Sequence, residues 1–474
     1  MLFWGRRRIP AATSFLNILN QLKIKCMKKT IISGAGLVGS LWAILLAKRG
    51  YEVEVYERRS DMRRAGFVGG RSINLAMSDR GWKAMEKAGI FDQIRSVAIP
   101  MHGRMIHDLK GELTFQPYGK EGQAIYSVSR GGLNLELLKI ADSFEQVRLF
   151  FDQKTLGVNL EKNALRIEHT QTGARTEVSG DVIFGADGAF SAVRGTLQKT
   201  PRFNYSQTYL EHGYKELTIP PGENGTHLLE KNALHIWPRG HFMLIALPNH
   251  DGSFTCTLFL PFEGDISFEK LKTDADVRAF FEKWFPDALP LMPDLATDFR
   301  ENPTGTLVTV RCHPWQYDNR VLLIGDAAHA IVPFYGQGMN AGFEDCTILD
   351  EMMDEYGDDW SRIIAGFNAV RPRDANAIAD LAIRNFTEMR DKVADPRFLL
   401  RKKIEQFLHK NRPNDFLPVY SMVTFSHIPY HKALEESARQ DALFDRILAI
   451  ENIEEKYDGP EVLALFEAWK NNKL

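Results

Sequence analysis

The sequence predicts an α/β fold: a Rossmann-like domain, a mixed β-sheet domain inserted into it, and a helical C-terminal region. Three glycine-and-aspartate signatures predict it, each placed after a short apolar run that reads as a strand. Gly34-Ala35-Gly36-Leu37-Val38-Gly39 follows Thr30-Ile31-Ile32-Ser33. Gly185-Ala186-Asp187-Gly188 follows Val182-Ile183-Phe184, and Gly325-Asp326-Ala327-Ala328-His329 follows Val321-Leu322-Leu323-Ile324. In this order they describe a site that grips one long dinucleotide at both ends and along its middle.

The first signature has a direct physical reading. Glycines at 34 and 36 allow a tight turn and close backbone approach to a pyrophosphate, and Gly39 lets the next helix pack on its strand. That helix, read as Leu41 to Arg49, directs free N–H groups and its positive dipole end at the phosphates. A second strand, Val53-Glu54-Val55-Tyr56, ends at Glu57, where an acidic side chain accepts hydrogen bonds from a ribose diol. This segment alone does not choose between NAD and FAD.

The third signature makes that choice. A buried strand ends near Asp326, placed to hydrogen-bond the ribityl chain or phosphates of FAD. Pro333-Phe334-Tyr335-Gly336-Gln337-Gly338-Met339-Asn340 then leads into a helix read as Ala341 to Met353. Glycines such as Gly338 let backbone N–H groups approach a flat ring, and the helix dipole favours negative charge at the flavin edge.

Composition sets the bounds. At 474 residues the chain holds two or three packed subdomains. Hydrophobic content of 44%, charged content of 25% and net charge of −2 give no general attraction to nucleic acid or anionic membrane. The apolar stretch Leu37 to Ala47 is too short to span a bilayer, and Leu463 to Leu474 is amphipathic, so no transmembrane anchor is expected. Cysteines at 26, 256, 312 and 346 show no CxxC pairing, and the 13 histidines include no HExxH. No metal site is expected, and a reducing cytoplasm fits. Residues 1–26 carry Arg6-Arg7-Arg8 and a short interrupted apolar patch without a cleavage site. They read as a disordered or spurious extension ahead of Met27.

Along the chain, helical patterns follow at Arg80–Ala88 and Leu133–Phe144. Arg104–His107 and Leu113–Gln116 read as hairpin strands around Asp108-Leu109-Lys110-Gly111. Residues 200–304 alternate and are strand-rich, with His241–Leu247 and Phe254–Leu260 joined by an Asn249-His250-Asp251-Gly252 turn. The expected organisation is an FAD-binding domain over 27–199 and 305–372 that carries a substrate-contacting hairpin, 101–118. A β-sheet substrate domain covers 200–304 and a helical region covers 373–474.

Specific strings then carry a resemblance. They are GRSINLAMS (70–78), GRMIHDLKG (103–111), QPYG (116–119), YSVSR (126–130), HGYKEL (212–217), NALHIWPRG (232–240), FTCTLFLPF (254–262), GDAAHAIVPFYGQGMNAGFEDC (325–346) and YSMVTFS (420–426). Over about 28–435 the chain resembles the flavoprotein aromatic hydroxylases of the para-hydroxybenzoate hydroxylase type, and within them the branch that acts on kynurenine. The resemblance implies a GR2-type FAD-binding domain. It implies hydroxylation of L-kynurenine to 3-hydroxy-L-kynurenine with NADPH and O2, the flavin carrying the chemistry. By motif it implies FAD contacts at Val38, Glu57, Arg58, Ala76, Arg130, Asp326, Met339 and Asn340, and substrate contacts at Arg104, Tyr118, Asn385 and Tyr420. Position 335 departs from the family, with Tyr where relatives carry His or Phe.

Read without the family, these residues leave more open. Arginine is the side chain best suited to an α-carboxylate in a dry site, by bidentate hydrogen bonding. Arg104 and Tyr118 on one hairpin can converge on such a group, yet Arg104 alone reads as a surface arginine. Asn385 lies on the apolar stripe Ile378, Leu381, Ala382, Asn385, Met389 and reads equally as a self-satisfied core amide or a ligand contact. Tyr420 reads equally as a core aromatic, and His329 as structural. Phe259 and Pro333 are expected as pocket walls. Only one Rossmann-type fingerprint is present and FAD occupies it, so NADPH docks on a surface the sequence does not mark. Whether the chain pairs into a homodimer is not written in it either. Two other readings stand beside this one: hydroxylation of a phenol or quinone precursor, for which Arg104 has no evident use, and a non-catalytic flavoprotein.

Overall fold

The computed structural model describes residues 28–65, 73–120, 122–389 and 395–471. The extension 1–26, and Gly70, Arg71 and Ser72 of the first string, lie outside the described residues.

A six-stranded sheet carries all three signatures. Its order is Gln316–Tyr317, Val321–Leu323, Val182–Gly185, Lys29–Ser33, Glu52–Tyr56, Val147–Phe150, and every pairing is parallel except that of the edge strand Gln316–Tyr317. The three strands that precede the signatures are therefore neighbours, and their carboxyl ends open at one edge of the sheet. Ligand crevices of doubly wound sheets lie at such edges. Ile31, Ile32, Ile183, Phe184, Leu322 and Leu323 have no exposed surface, as a parallel sheet covered on both faces requires.

The helix Leu37–Lys48 is buried from Gly39 to Ala47. A helix apolar all round needs cover on every side, and Arg130–Asp142 and Gly338–Tyr356 supply it beside the sheet. It starts four residues before the expected Leu41 because Gly36 is itself the N-cap: the glycine turn is the entry to the helix. Likewise the expected Ala341–Met353 helix runs from Gly338 to Tyr356.

A second sheet has seven strands, in the order Gly305–His313, Asn204–Ile219, Phe254–Pro261, Met243–Pro248, Ala233–Pro238, Gly103–His107, Leu113–Pro117. Three boundaries expected from sequence differ here. The hairpin within 101–118 joins this sheet rather than the Rossmann-like one, because Gly103–Ile106 pairs in parallel with Ala233–Ile236. The strand Gly305–His313, expected in the FAD-binding portion, pairs with Asn204–Ile219 and forms the opposite edge. The break expected at 372/373 falls inside one helix, Trp360–Thr387. Pro372 does not end it, since a proline removes only one turn's hydrogen bond, and packing on both sides holds the rest.

One face of the seven-stranded sheet is covered by Asp274–Trp284 and Leu295–Glu301, with Trp237, Leu244, Ala246, Leu258, Phe281 and Phe285 between them. The other face presents Ile236, Met243, Phe259 and Leu307 toward Phe334 and Phe386. Both faces are apolar, and the second faces the site. The remaining chain is helical, and Val419–Thr424 brings Tyr420 back over this face. Among the described residues no helix is long and apolar enough to cross a membrane.

Candidate active site

A cavity of about 380 Å³ runs from the signature edge of the first sheet to the inner face of the second. At the first end Gly34 adopts φ +101°, and a Cβ there would meet Ala186 O at 2.5 Å. The turn can therefore be made only by glycine with the second signature packed against it. A Cβ on Gly36 would meet nothing within 4 Å, and Gly36 lines the cavity. It leaves a cradle at the N-terminus of Leu37–Lys48, whose first turn has no side-chain cap. The helix Gly338–Tyr356 is also uncapped by any side chain and begins at cavity-lining Gly338 and Met339. Two uncapped helix N-termini facing one cavity fit a group with a diphosphate at one point and an electron-rich ring edge at another.

Other expected cofactor residues divide into those at the wall and those behind it. Val38, Ala76, Arg130 and Asp326 line the cavity. Gly39 does not; it packs against Gly34 O, where a Cβ would stand at 2.0 Å. Glu57 accepts from Ala35 N and from Arg59 N, each at 3.0 Å, which pins its carboxylate beside the first glycine turn. Arg58 is exposed next to it. Asn340 is fully buried and its amide is engaged within the protein. Its Oδ1 accepts from Ser78 N (2.9 Å), and its Nδ2 donates to Ala76 O (2.8 Å) and Gly336 O (2.7 Å). It ties the strand Asn74–Met77 to the glycine turn, and only its backbone at the helix start is free for a ligand.

A brace that no sequence motif marks lies beneath Asp326. Asp345, with no exposed surface, accepts from Gly325 N (2.8 Å), pairs with His329 Nε2 (2.6 Å) and with Arg371 Nε (2.6 Å). Burial opposes its charged form, but His329 and Arg371 hold its carboxyl below the usual carboxylate range. His329 also stacks on Trp315 and is structural. A lone Asp on a buried helix face was the only signal available for this brace.

At the far end three phenols stack. Tyr118 and Tyr420 lie 5.3 Å apart at 10°, and Tyr420 and Tyr335 lie 5.6 Å apart at 18°. The Arg104 guanidinium carbon stands 5.4 Å from the Tyr118 ring centre and 5.1 Å from that of Tyr420. Burial pushes all three phenols above their ordinary range, so each is a neutral O–H near pH 7. Arg104 Nε and Tyr118 Oη are buried without a well-formed hydrogen bond among the described residues, although the two side chains lie close enough to interact with each other. A buried donor left without a partner is costly, and this one sits on a cavity wall.

Phe259 and Pro333 line the cavity with Arg104, Tyr118 and Tyr420. Asn385 does not: its Nδ2 donates to Phe334 O at 2.6 Å and holds the Pro333–Tyr335 turn. Walls not singled out from sequence include Leu234, Met243, Ile245, Leu247 and Met389. The period-2 set 243, 245, 247 marks one strand face but does not say which face meets a ligand.

Residues 27–356 match the model of the FAD-binding domain family. The kynurenine 3-monooxygenase of Flavobacterium johnsoniae is 52% identical over 434 residues, covering 92% of this chain and 97% of that one. The chain belongs to the kynurenine 3-monooxygenase family. Its likeness to relatives extends to Sus scrofa, whose kynurenine 3-monooxygenase is 48% identical over 85% of each chain. Among solved structures, 2-methyl-3-hydroxypyridine-5-carboxylic acid oxygenase is 19% identical with a TM-score of 0.64, covering 78% of this chain and 95% of that one. This last likeness shows that the kynurenine 3-monooxygenase fold is shared with other aromatic oxygenases. The protein is an FAD-dependent monooxygenase of that fold.

Proposed function

We propose that this chain converts L-kynurenine to 3-hydroxy-L-kynurenine, using bound FAD, NADPH and O2, in a reducing cytoplasm. The observation that carries this reading is the unpaired Arg104 Nε and Tyr118 Oη at the end of an otherwise apolar cavity. An α-carboxylate there would accept from the guanidinium and the phenol together, a charge-assisted pairing that satisfies both. A substrate without a carboxylate would leave them buried and unpaired, and sites of that kind reject such analogues strongly. Free, buried thiols at Cys256, Cys312 and Cys346 are in keeping with a reducing compartment.

FAD would be held at Gly34, Gly36, Val38, Glu57, Ala76, Arg130, Asp326, Gly338 and Met339. When bound it supplies hydride uptake from NADPH, reaction with O2 and delivery of one oxygen atom to the ring. The protein's residues supply position. Arg104, Tyr118 and Tyr420 hold the amino-acid end of the substrate, while Phe259, Leu234, Met243 and Ile245 enclose its aryl ring and keep water away. The aniline nitrogen already activates the carbon beside it, so no strong side-chain base is needed. Asn385 acts in this reading through the main chain at Phe334, setting the turn that separates substrate from cofactor.

Equilibrium titration of the FAD-loaded protein tests the site. L-kynurenine should perturb the flavin spectrum with saturation, and its decarboxylated form, kynuramine, should do so far more weakly. Equal affinity for the two would remove the carboxylate from the recognition and with it the basis of this reading.

A further inference from the structure

Two of the strings that mark this family, GRMIHDLKG and NALHIWPRG, contribute Arg104 and Leu234 to the cavity wall, yet their histidines and Trp237 point the other way. His107, His235 and Trp237 lie on the helix-covered face of the seven-stranded sheet, each 2% exposed or less. There His107 Nδ1 is 2.7 Å from Asp287 Oδ2, His107 Nε2 is 2.9 Å from His235 Nδ1, and His235 Nε2 is 2.8 Å from Glu230 O. Trp237 Nε1 donates to Asp287, and its ring stacks under His107 at 3.9 Å. Arg239 closes the cluster, donating to His107 O, Asp108 O and Trp284 O.

Polar contacts order this chain from end to end. Asp287 and the Glu230 carbonyl anchor its two ends, and the two rings meet nitrogen to nitrogen between them. A buried polar chain under an apolar helical cover is costly unless it specifies something.

What it spans is the parallel ladder between Gly103–Ile106 and Ala233–Ile236, the single parallel pairing among the described strands of this sheet. In that register Leu234 stands opposite Arg104, and both face the cavity. A slip of one residue would turn Arg104 into the helix-covered face. A slip of two would carry it roughly 6.6 Å along the strand, away from Tyr118 and Tyr420. The apolar neighbours Met105, Ile106 and Ile236 discriminate poorly between such registers, whereas the nitrogen-to-nitrogen contact of two histidines forms in only one.

We infer that His107, His235 and Asp287 are positioning residues for Arg104, fixing the strand register that aims its guanidinium at the substrate carboxylate. The inference rests on the proposed function for the identity of that carboxylate.

The test uses the FAD-loaded full chain with Asp287→Asn, which removes the carboxylate that anchors His107 and Trp237 while keeping the shape. The KM for L-kynurenine should rise about tenfold with kcat changed less than about twofold, and the weak affinity for kynuramine should not move. A merely structural cluster would weaken both ligands by the same factor or lower FAD retention, and either result overturns the inference. Should Asp287→Asn fail to fold, Arg239→Lys loosens the end of the same strand without a buried uncompensated charge, and the same split between the two ligands is expected. If the parent protein binds no L-kynurenine, the proposed function fails by itself. A crystal structure of Asp287→Asn then decides the positioning role: Arg104 displaced from between Tyr118 and Tyr420 supports it, and Arg104 in place overturns it.

Discussion

Arg104 and Tyr420 meet across the cavity, the guanidinium carbon 5.1 Å from the ring centre, although one comes from an early hairpin and the other from the C-terminal helices. The contact makes the amino-acid end of the site a joint product of two distant parts of the chain.

Removing the guanidinium should therefore hurt recognition and little else. Arg104→Ala should keep FAD and fold, and raise the KM for L-kynurenine by the 2–5 kcal/mol typical of a lost buried charge pair, on the order of 30-fold or more. Arg104→Lys should recover only part, because a point charge cannot reproduce the two-pronged geometry. Steady-state kinetics on the three proteins check this. A mutant that still prefers L-kynurenine over kynuramine as strongly as the parent would assign the carboxylate elsewhere.

At the cofactor end, Asp326 lines the cavity at the start of a short helix. Asp326→Ala should weaken FAD by about 1.5–3 kcal/mol, roughly 10- to 150-fold in Kd. Fluorescence titration of the apoprotein with FAD measures it. Unchanged affinity would place the ribityl and phosphate contacts on the backbone alone.

Much of this end was legible in the sequence because its signals are local. A strand, a glycine turn and a helix start are consecutive residues, and Gly34 and Gly36 announce their roles by type. Sheet membership was not legible in the same way. The hairpin carrying Arg104 pairs in parallel with Ala233–Ile236, and nothing local to either segment records a partner so far along the chain. Nor was the lining of the substrate end: Met243–Pro248 is apolar on both faces, so the alternation that separates a cavity face from a core face is erased. Asn385 stood out as a polar residue on a buried stripe, but its partner, the Phe334 carbonyl, is a backbone group that no residue type reveals.

The brace at Asp345 makes a stability prediction distinct from the binding ones. Asp345→Asn takes the fully buried carboxylate from Arg371, itself 1% exposed, and leaves Glu344 at 2.7 Å as its remaining close carboxylate partner. The loss should approach, without exceeding, the ~3–5 kcal/mol of a buried pair broken outright. Chemical denaturation should show that loss, whereas Asp326→Ala, at the exposed rim, should unfold near the parent midpoint.

The histidine cluster predicts an acid limb of stability. Burial, only partly offset by the Glu230 carbonyl, lowers the His235 pKa to about 4 from an ordinary 6.5. The unfolded chain then binds the extra proton first as pH falls, so stability is complete above pH 6.5 and is lost as pH drops toward 4. This one group accounts for about 3 kcal/mol over that window. Urea midpoints measured across it should flatten in His235→Phe relative to its own value at neutral pH. An equal slope in parent and mutant would place the titration elsewhere.

Turnover with product identification decides whether this protein hydroxylates L-kynurenine. NADPH oxidation by the FAD-loaded protein is followed with L-kynurenine present and absent, and the product is weighed and its ring position assigned by NMR. L-kynurenine should stimulate oxidation, and the product should carry one added oxygen atom beside the aniline nitrogen. Oxidation that L-kynurenine does not stimulate, with the substrate recovered unchanged, would contradict that activity.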